Sequence, residues 1–174
     1  VVFDMQVAPQ LPSGLHGDKS KLRIILWNIL QNAAAFTTEG RIAMTVIGNI
    51  EKEGKIKLVI SIKDTGVGMS QELQRKVFES FQHTTDSTTQ TIGLGLTIAG
   101  NLARKIGAVI EVRSTEKKGS EFTVRLMQNI TDMIPVGIYH DKKQEIITDF
   151  KAPGVRILVV DDEPQMLALA KAIL

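Results

Sequence analysis

The chain has 174 residues, 43% hydrophobic and 23% charged, with 21 Lys and Arg against 19 Asp and Glu for a net charge of +2. That hydrophobic share supports one domain with a buried core and a fraction of a second, and excludes a disordered chain. The absence of cysteine excludes disulfide scaffolds, thiolate zinc sites and thiol nucleophiles.

The interspersed charges form no basic–aromatic stripe, so no nucleic-acid partner is expected. No apolar run approaches membrane-spanning length and residues 1–30 carry no signal-peptide pattern. A cytoplasmic fragment with no membrane contact of its own is expected, from a parent free to be membrane-anchored. The start on Val1 instead of Met reads as an excised piece.

In chain order, Val1, Phe3 and Met5 alternate with polar neighbours like a strand, and Pro9, Pro12 and Gly14 mark a loop. Asp18 or Ser20 is a cap for a helix over 21–36, where Leu22, Ile25, Leu26, Ile29, Leu30 and Ala33 recur at helical spacing. Residues 41–50 and 55–63 read as a hairpin around 51–54. A glycine loop, 64–70, precedes one or two helical turns over 71–78. Residues 83–91, HTTDSTTQT, hold nothing apolar and read as a mobile surface loop. Gly93–Ile106 reads as a helix with Leu94, Ile98, Leu102 and Ile106 four apart. Residues 108–114 and 120–127 read as a second hairpin. A linker with at most a short strand is expected over 128–153. Val155–Val160 then forms an apolar strand ending in Asp161, Asp162 and Glu163, and a helix follows.

Three groups point to chemistry. Asn28 and Asn32, four apart, share one helix face at the edge of the apolar stripe. They read either as surface amides or as a metal and phosphate site, since an amide carbonyl is a hard neutral ligand for a hydrated Mg²⁺. Asp64, at a strand end before Gly66 and Gly68, can accept a hydrogen bond from an exocyclic amine while the glycines let a flat group approach. Gly93-Leu94-Gly95-Leu96 opens a helix, where free N–H groups favour phosphate. A dinucleotide fingerprint fails because Ile98 stands at the third glycine position, and no Walker A sequence occurs.

The segments ILWNILQNAAAFT, DTGVGM, VFESF, TIGLGLTIA and KKGSEFTVRL, in that order, resemble the ATP-binding catalytic domain of sensor histidine kinases, within the gyrase and MutL (Bergerat) type of ATPase fold. The resemblance covers about residues 1–127 and implies an α+β fold. That fold would be a two-layer α/β sandwich, a mixed, mostly antiparallel sheet with about three helices on one face, starting near Lys21, Ser70 and Gly93. It implies ATP and Mg²⁺ as cofactors, with Asn32 as metal ligand, Asn28 as its partner in catalysis and binding, and Asp64 reading the adenine amine. Gly66 and Gly68 would shape the base pocket, Phe78 and Phe81 would flank a lid over 82–92, and Gly93, Leu94, Gly95 and Leu96 would meet the phosphates. Ser120 would reach the adenine through water.

Gyrase-type relatives carry a glutamate where Asn28 stands. An amide cannot act as a general base, so the resemblance implies ATP held for a histidine on a separate dimerisation domain of the parent kinase. His16, His83 and His140 lack the acceptor's context and read as surface residues. The pattern departs at Ala35, where a cation is usual, and in the lid, with no Lys or Arg between Lys76 and Arg104. A degenerate docking module is therefore the alternative, and a gyrase-type ATPase a third. VRILVVDDEPQML resembles the start of a response-regulator receiver domain, which implies a hybrid kinase, a phosphorelay and a receiver partner. The expected domains are thus 1–127, a linker over 128–153 and a receiver start over 154–174.

Overall fold

In a computed structural model, residues 1–77 and 87–138 are described, apart from the side chains of 53 and 87–94. The elements are β1 (Val2–Val7), β2 (Pro12–His16), α1 (Lys19–Phe36), β3 (Arg41–Ile50), β4 (Lys55–Asp64), α2 (Gln71–Lys76), α3 (Ser87–Lys105), β5 (Val109–Thr115) and β6 (Gly119–Pro135).

The sheet runs in the order β1-β3-β4-β6, and β2 and β5 share the far edge of β6. Among the described strands only β1 against β3 is parallel. This is the expected mixed, mostly antiparallel sheet with its helices forming the second layer. Side chains alternate across a strand. Ile56, Leu58, Ile60 and Ile62 of β4 therefore share one buried face with Phe122, Val124 and Leu126 of β6. Ile25, Ile29 and Ala33 of α1, four apart, and Leu96, Ala99 and Ala103 of α3 complete the core. The opposite sheet face mixes charged and polar side chains with the exposed Ile47, Val109 and Met127. There Ser61 donates to Glu121 and Arg125 pairs with Glu111.

α1 begins where Asp18 caps it, its carboxylate accepting from the Lys21 backbone N–H at 2.8 Å. Ser70 likewise caps α2, accepting from the Leu73 N–H at 3.3 Å.

Three expectations are corrected. Pro12–His16 is a strand, not a loop. It pairs irregularly with β6, as an edge strand holding Pro12 and Gly14 must. β6 runs on to Pro135, eight residues past the expected end at 127, because β2 supplies its partner there. α3 begins at Ser87, so 87–91 is helix, and Gly93 and Gly95 lie inside α3 and not at its first turn. Once the apolar part of α3 is packed, each preceding residue adds one backbone bond, and threonine is a mild helix-former and no breaker. Residues 78–86 and 139–174, with Phe78, Phe81, His83, His140 and the receiver-like segment, lie outside the described residues.

Candidate functional site

The period-two pattern that buries Ile56 through Ile62 carries Asp64 onto the same inward face, at the end of β4. Ser120 extends the inward row of β6 in the same way. The register that sets Ile62 opposite Phe122 brings the two together. Asp64 is buried, with its Oδ1 accepting from the Gly66 N–H at 2.8 Å and the Ser120 N–H at 3.2 Å. Among the described residues Oδ2 accepts no hydrogen bond. The carboxylate is thus fixed at one oxygen and open at the other.

Ser120 is similarly constrained. The Ser114 hydroxyl spends its proton on the Gly119 carbonyl at 2.9 Å, so in the 3.0 Å contact between the two hydroxyls Ser120 must donate. The Ser114 oxygen also accepts from the Met69 N–H at 2.8 Å. Ser120 is left with lone pairs and no proton to offer.

The loop 65–69 is clamped from both sides. The Val67 N–H donates to the Phe36 carbonyl at the end of α1, and the Lys117 N–H donates to the Val67 carbonyl. Gly68 sits at φ +67°, and a Cβ there would lie 2.0 Å from the Thr115 carbonyl oxygen. No other residue type fits that turn without moving the hairpin. At Gly66 a Cβ would meet the Phe36 oxygen at 2.1 Å. Both glycines thus serve the packing of the loop between α1 and the β5–β6 hairpin.

A cavity of about 150 Å³ opens among these elements. Asn32, Asp64, Gly68, Leu96 and Ser120 line it together with Ala33, Phe36, Val67, Met69, Leu73, Val77 and Phe122. Asp64 is the sole ionisable group on this wall among the described residues. The cavity is smaller than a drug-sized pocket and mainly apolar, a shape for one flat ring with a polar edge. A larger open cleft, about 580 Å³, lies by the N-terminal half of α1 against Leu22, Leu26, Trp27 and Ile106, and holds none of the expected site residues.

The two asparagines are oriented by their own helix. Asn28 Nδ2 donates to the Ile24 carbonyl at 2.8 Å, and Asn32 Nδ2 donates to the Asn28 carbonyl at 2.7 Å. Each amide has one N–H engaged, which fixes its orientation and leaves its carbonyl oxygen open to a ligand. Asn32 lines the cavity. Asn28 and Gly95 do not, and pack against each other where α1 meets α3. Gly66 lies behind the wall. Gly93 and Leu94 belong to α3, three and two residues before Leu96, and Phe81 is outside the described residues.

Sequence reasoning missed the apolar lining, Ala33, Phe36, Leu73 and Phe122, because such residues read as ordinary core. It also missed Gln74, whose Nε2 donates to the Ser114 and Met69 carbonyls while its Oε1 accepts from the Ser114 N–H, tying α2 to β5. No spacing in the sequence signals that pairing.

Residues 17–130 match the family described as histidine kinase-, DNA gyrase B- and HSP90-like ATPases. Over 118 residues, 66% of the chain, it is 39% identical to the sensor histidine kinase GacS of Pseudomonas protegens. Over 99% of its length it is 29% identical to the aerobic respiration control sensor protein ArcB of Escherichia coli. It spans 13% and 21% of those proteins. Among solved structures it resembles full-length ShkA in complex with AMPPNP, with a TM-score of 0.60 and 27% identity over 75% of this chain and 26% of that one. The mycobacterial sensor histidine kinase MprB gives a TM-score of 0.55 and 26% identity over 74% of this chain and 83% of that one. With the matched family span covering well over half of its residues, the chain belongs to the histidine kinase-, DNA gyrase B- and HSP90-like ATPases, and its fold is the Bergerat-type ATP-binding domain of sensor histidine kinases.

Proposed function

We propose that the chain binds Mg-ATP and donates its γ-phosphoryl group to a histidine on a separate domain of a hybrid sensor kinase. The observation that carries the reading is Asp64, a buried carboxylate with one oxygen held by two backbone N–H groups and the other unbonded, on the wall of a ring-sized apolar cavity. Such a carboxylate is a ready acceptor for an exocyclic amine, and burial strengthens that bond. Ser120, with its proton committed to Ser114, can only accept, which suits a water that donates to it from the base edge. This pair of acceptors thus fits the amine edge of an adenine.

Asn32 would hold the metal, since its Oδ1 is a neutral oxygen on the cavity wall and its nitrogen is engaged elsewhere. Asn28 would support it from the preceding turn, and Phe81, Gly93 and Leu94 would lie toward the lid and phosphates. The bound Mg²⁺ would neutralise phosphate charge during transfer. The amide at position 28 cannot deprotonate water, which favours holding the nucleotide over the rapid hydrolysis of a gyrase-type ATPase. The remaining parts of the reading are a cytoplasmic setting, an upstream acceptor-histidine domain, and residues 154–174 as the start of a receiver reached through the segment after Pro135.

The test is calorimetry of ATP binding with and without Mg²⁺. The expected result is Mg²⁺-dependent binding, and absence of heat at millimolar nucleotide overturns the proposal. One observation favours a second reading, a non-catalytic docking module: Ala35 stands exposed on α1 where a phosphate-binding cation is usual.

A further inference from the structure

We infer that Gly95 is a positioning residue for Asn28, and that its missing side chain is what holds the Asn28 carboxamide oxygen in place between α1 and α3. The inference rests on the nucleotide reading above. It begins with an anomaly: Gly95 is the ninth residue of the 19-residue α3, and glycine is among the worst residues for a helix interior. A glycine serving to bring a helix N-terminus onto a phosphate belongs in the first turn, and Gly95 is two turns further in.

The neighbour of Gly95 supplies the reason. A Cβ at position 95 would lie 2.7 Å from Asn28 Oδ1, 3.5 Å from its Cγ and 3.8 Å from its Cβ. The conflict is therefore with the carboxamide alone, because 3.8 Å to the Cβ is ordinary contact. The carboxamide has little freedom to yield, since its Nδ2 is bonded to the Ile24 carbonyl at 2.8 Å. The backbone carbonyl of Asn28 in turn accepts from Asn32 Nδ2 at 2.7 Å, so the orientation of Asn32 depends on the same turn. Nor can α3 retreat cheaply. Leu96 and Ala99, which follow Gly95, are 2% and 0% exposed in the core beside Ile25 and Ile29. An added methyl must rotate Asn28 out of its hydrogen bond or separate the helices that frame the cavity.

The experiment is a double-mutant cycle on the full chain with Gly95→Ala, Asn28→Ala and both together, measuring Kd for Mg-AMPPNP and thermal melting. Gly95→Ala is expected to weaken binding about tenfold and to lower the melting temperature. In the Asn28→Ala background the same change is expected to leave Kd unmoved and to raise the melting temperature, because the methyl then has room and alanine favours the helix. Equal losses in both backgrounds, or no loss in either, overturn the inference while leaving the nucleotide reading intact. Failure of the unsubstituted chain to bind Mg-AMPPNP overturns the nucleotide reading itself. The melting coupling still tests the Asn28–Gly95 contact in that case: a Gly95→Ala change that shifts melting equally in both backgrounds shows there is none.

Discussion

Across the β4–β6 pairing, the backbone N–H of Ser120 donates to Oδ1 of Asp64 at 3.2 Å, so the hairpin that ends the domain fixes the carboxylate at the end of its central strand. The Gly66 N–H holds the same oxygen at 2.8 Å. Asp64→Asn keeps the shape but offers an amide where a carboxylate stood. It is expected to weaken Mg-nucleotide binding by about 1.5–3 kcal/mol, the worth of a hydrogen bond to a charged group. Titration calorimetry checks this, and an unchanged Kd removes Asp64 from base recognition.

Asn32→Ala removes the one neutral oxygen that α1 places on the cavity wall. Binding is expected to lose its dependence on Mg²⁺ while the fold survives, since Asn32 is only half-buried. A magnesium titration at fixed nucleotide is the measurement, and a retained metal dependence would refute the assignment.

Ala35→Lys separates the two readings of the site. Ala35 is exposed on α1 one turn beyond Asn32, so a lysine there neighbours Asn32 on the helix surface. A kinase pocket weakened only by a missing cation is expected to gain about tenfold in affinity from one charge-assisted bond. No gain at all favours the docking module.

Gln74→Ala cuts the side-chain link between α2 and β5 and leaves the Ser114 N–H without its partner. A cost of about 1–3 kcal/mol in unfolding free energy is expected for the orphaned group. Denaturant unfolding measures it. A loss within error would mean that α2 is held by other contacts.

The cap of α1 titrates. The Lys21 ammonium beside Asp18, with the Lys21 N–H, holds that carboxyl below its ordinary value of 3.8. A carboxylate whose folded pKa is depressed stabilises fully above the ordinary pKa, and loses that contribution as pH falls through the folded value. Asp18→Ala is therefore expected to lower the melting temperature at pH 7 and to converge with the unsubstituted chain well below pH 3.8. A difference that persists undiminished in acid would show the effect to be unrelated to the charge.

The sequence by itself determined most of the elements and the family resemblance, because these depend on local chemistry. Helical spacing from Leu22 to Ala33, strict alternation along β4, the Asp18 cap and the DTGVGM turn each act within a few residues. So does the stacking of Asn28 over Asn32. What the sequence left open depends on partners distant in the chain. Pro12–His16 is a strand only because β6 runs past residue 127 to meet it. Ser120 has its proton committed to Ser114 only because the β5–β6 hairpin sets the two hydroxyls side by side. The apolar lining from Ala33 to Phe122 became a cavity wall only when two helices and a sheet converged. Gly95 likewise shows no purpose in its own helix, since the group that excludes a side chain there is a carboxamide 67 residues earlier, on α1. Hydrophobic period and capping are written within one turn of chain, whereas register, close approach and the fate of a single hydroxyl proton arise only when the layers pack.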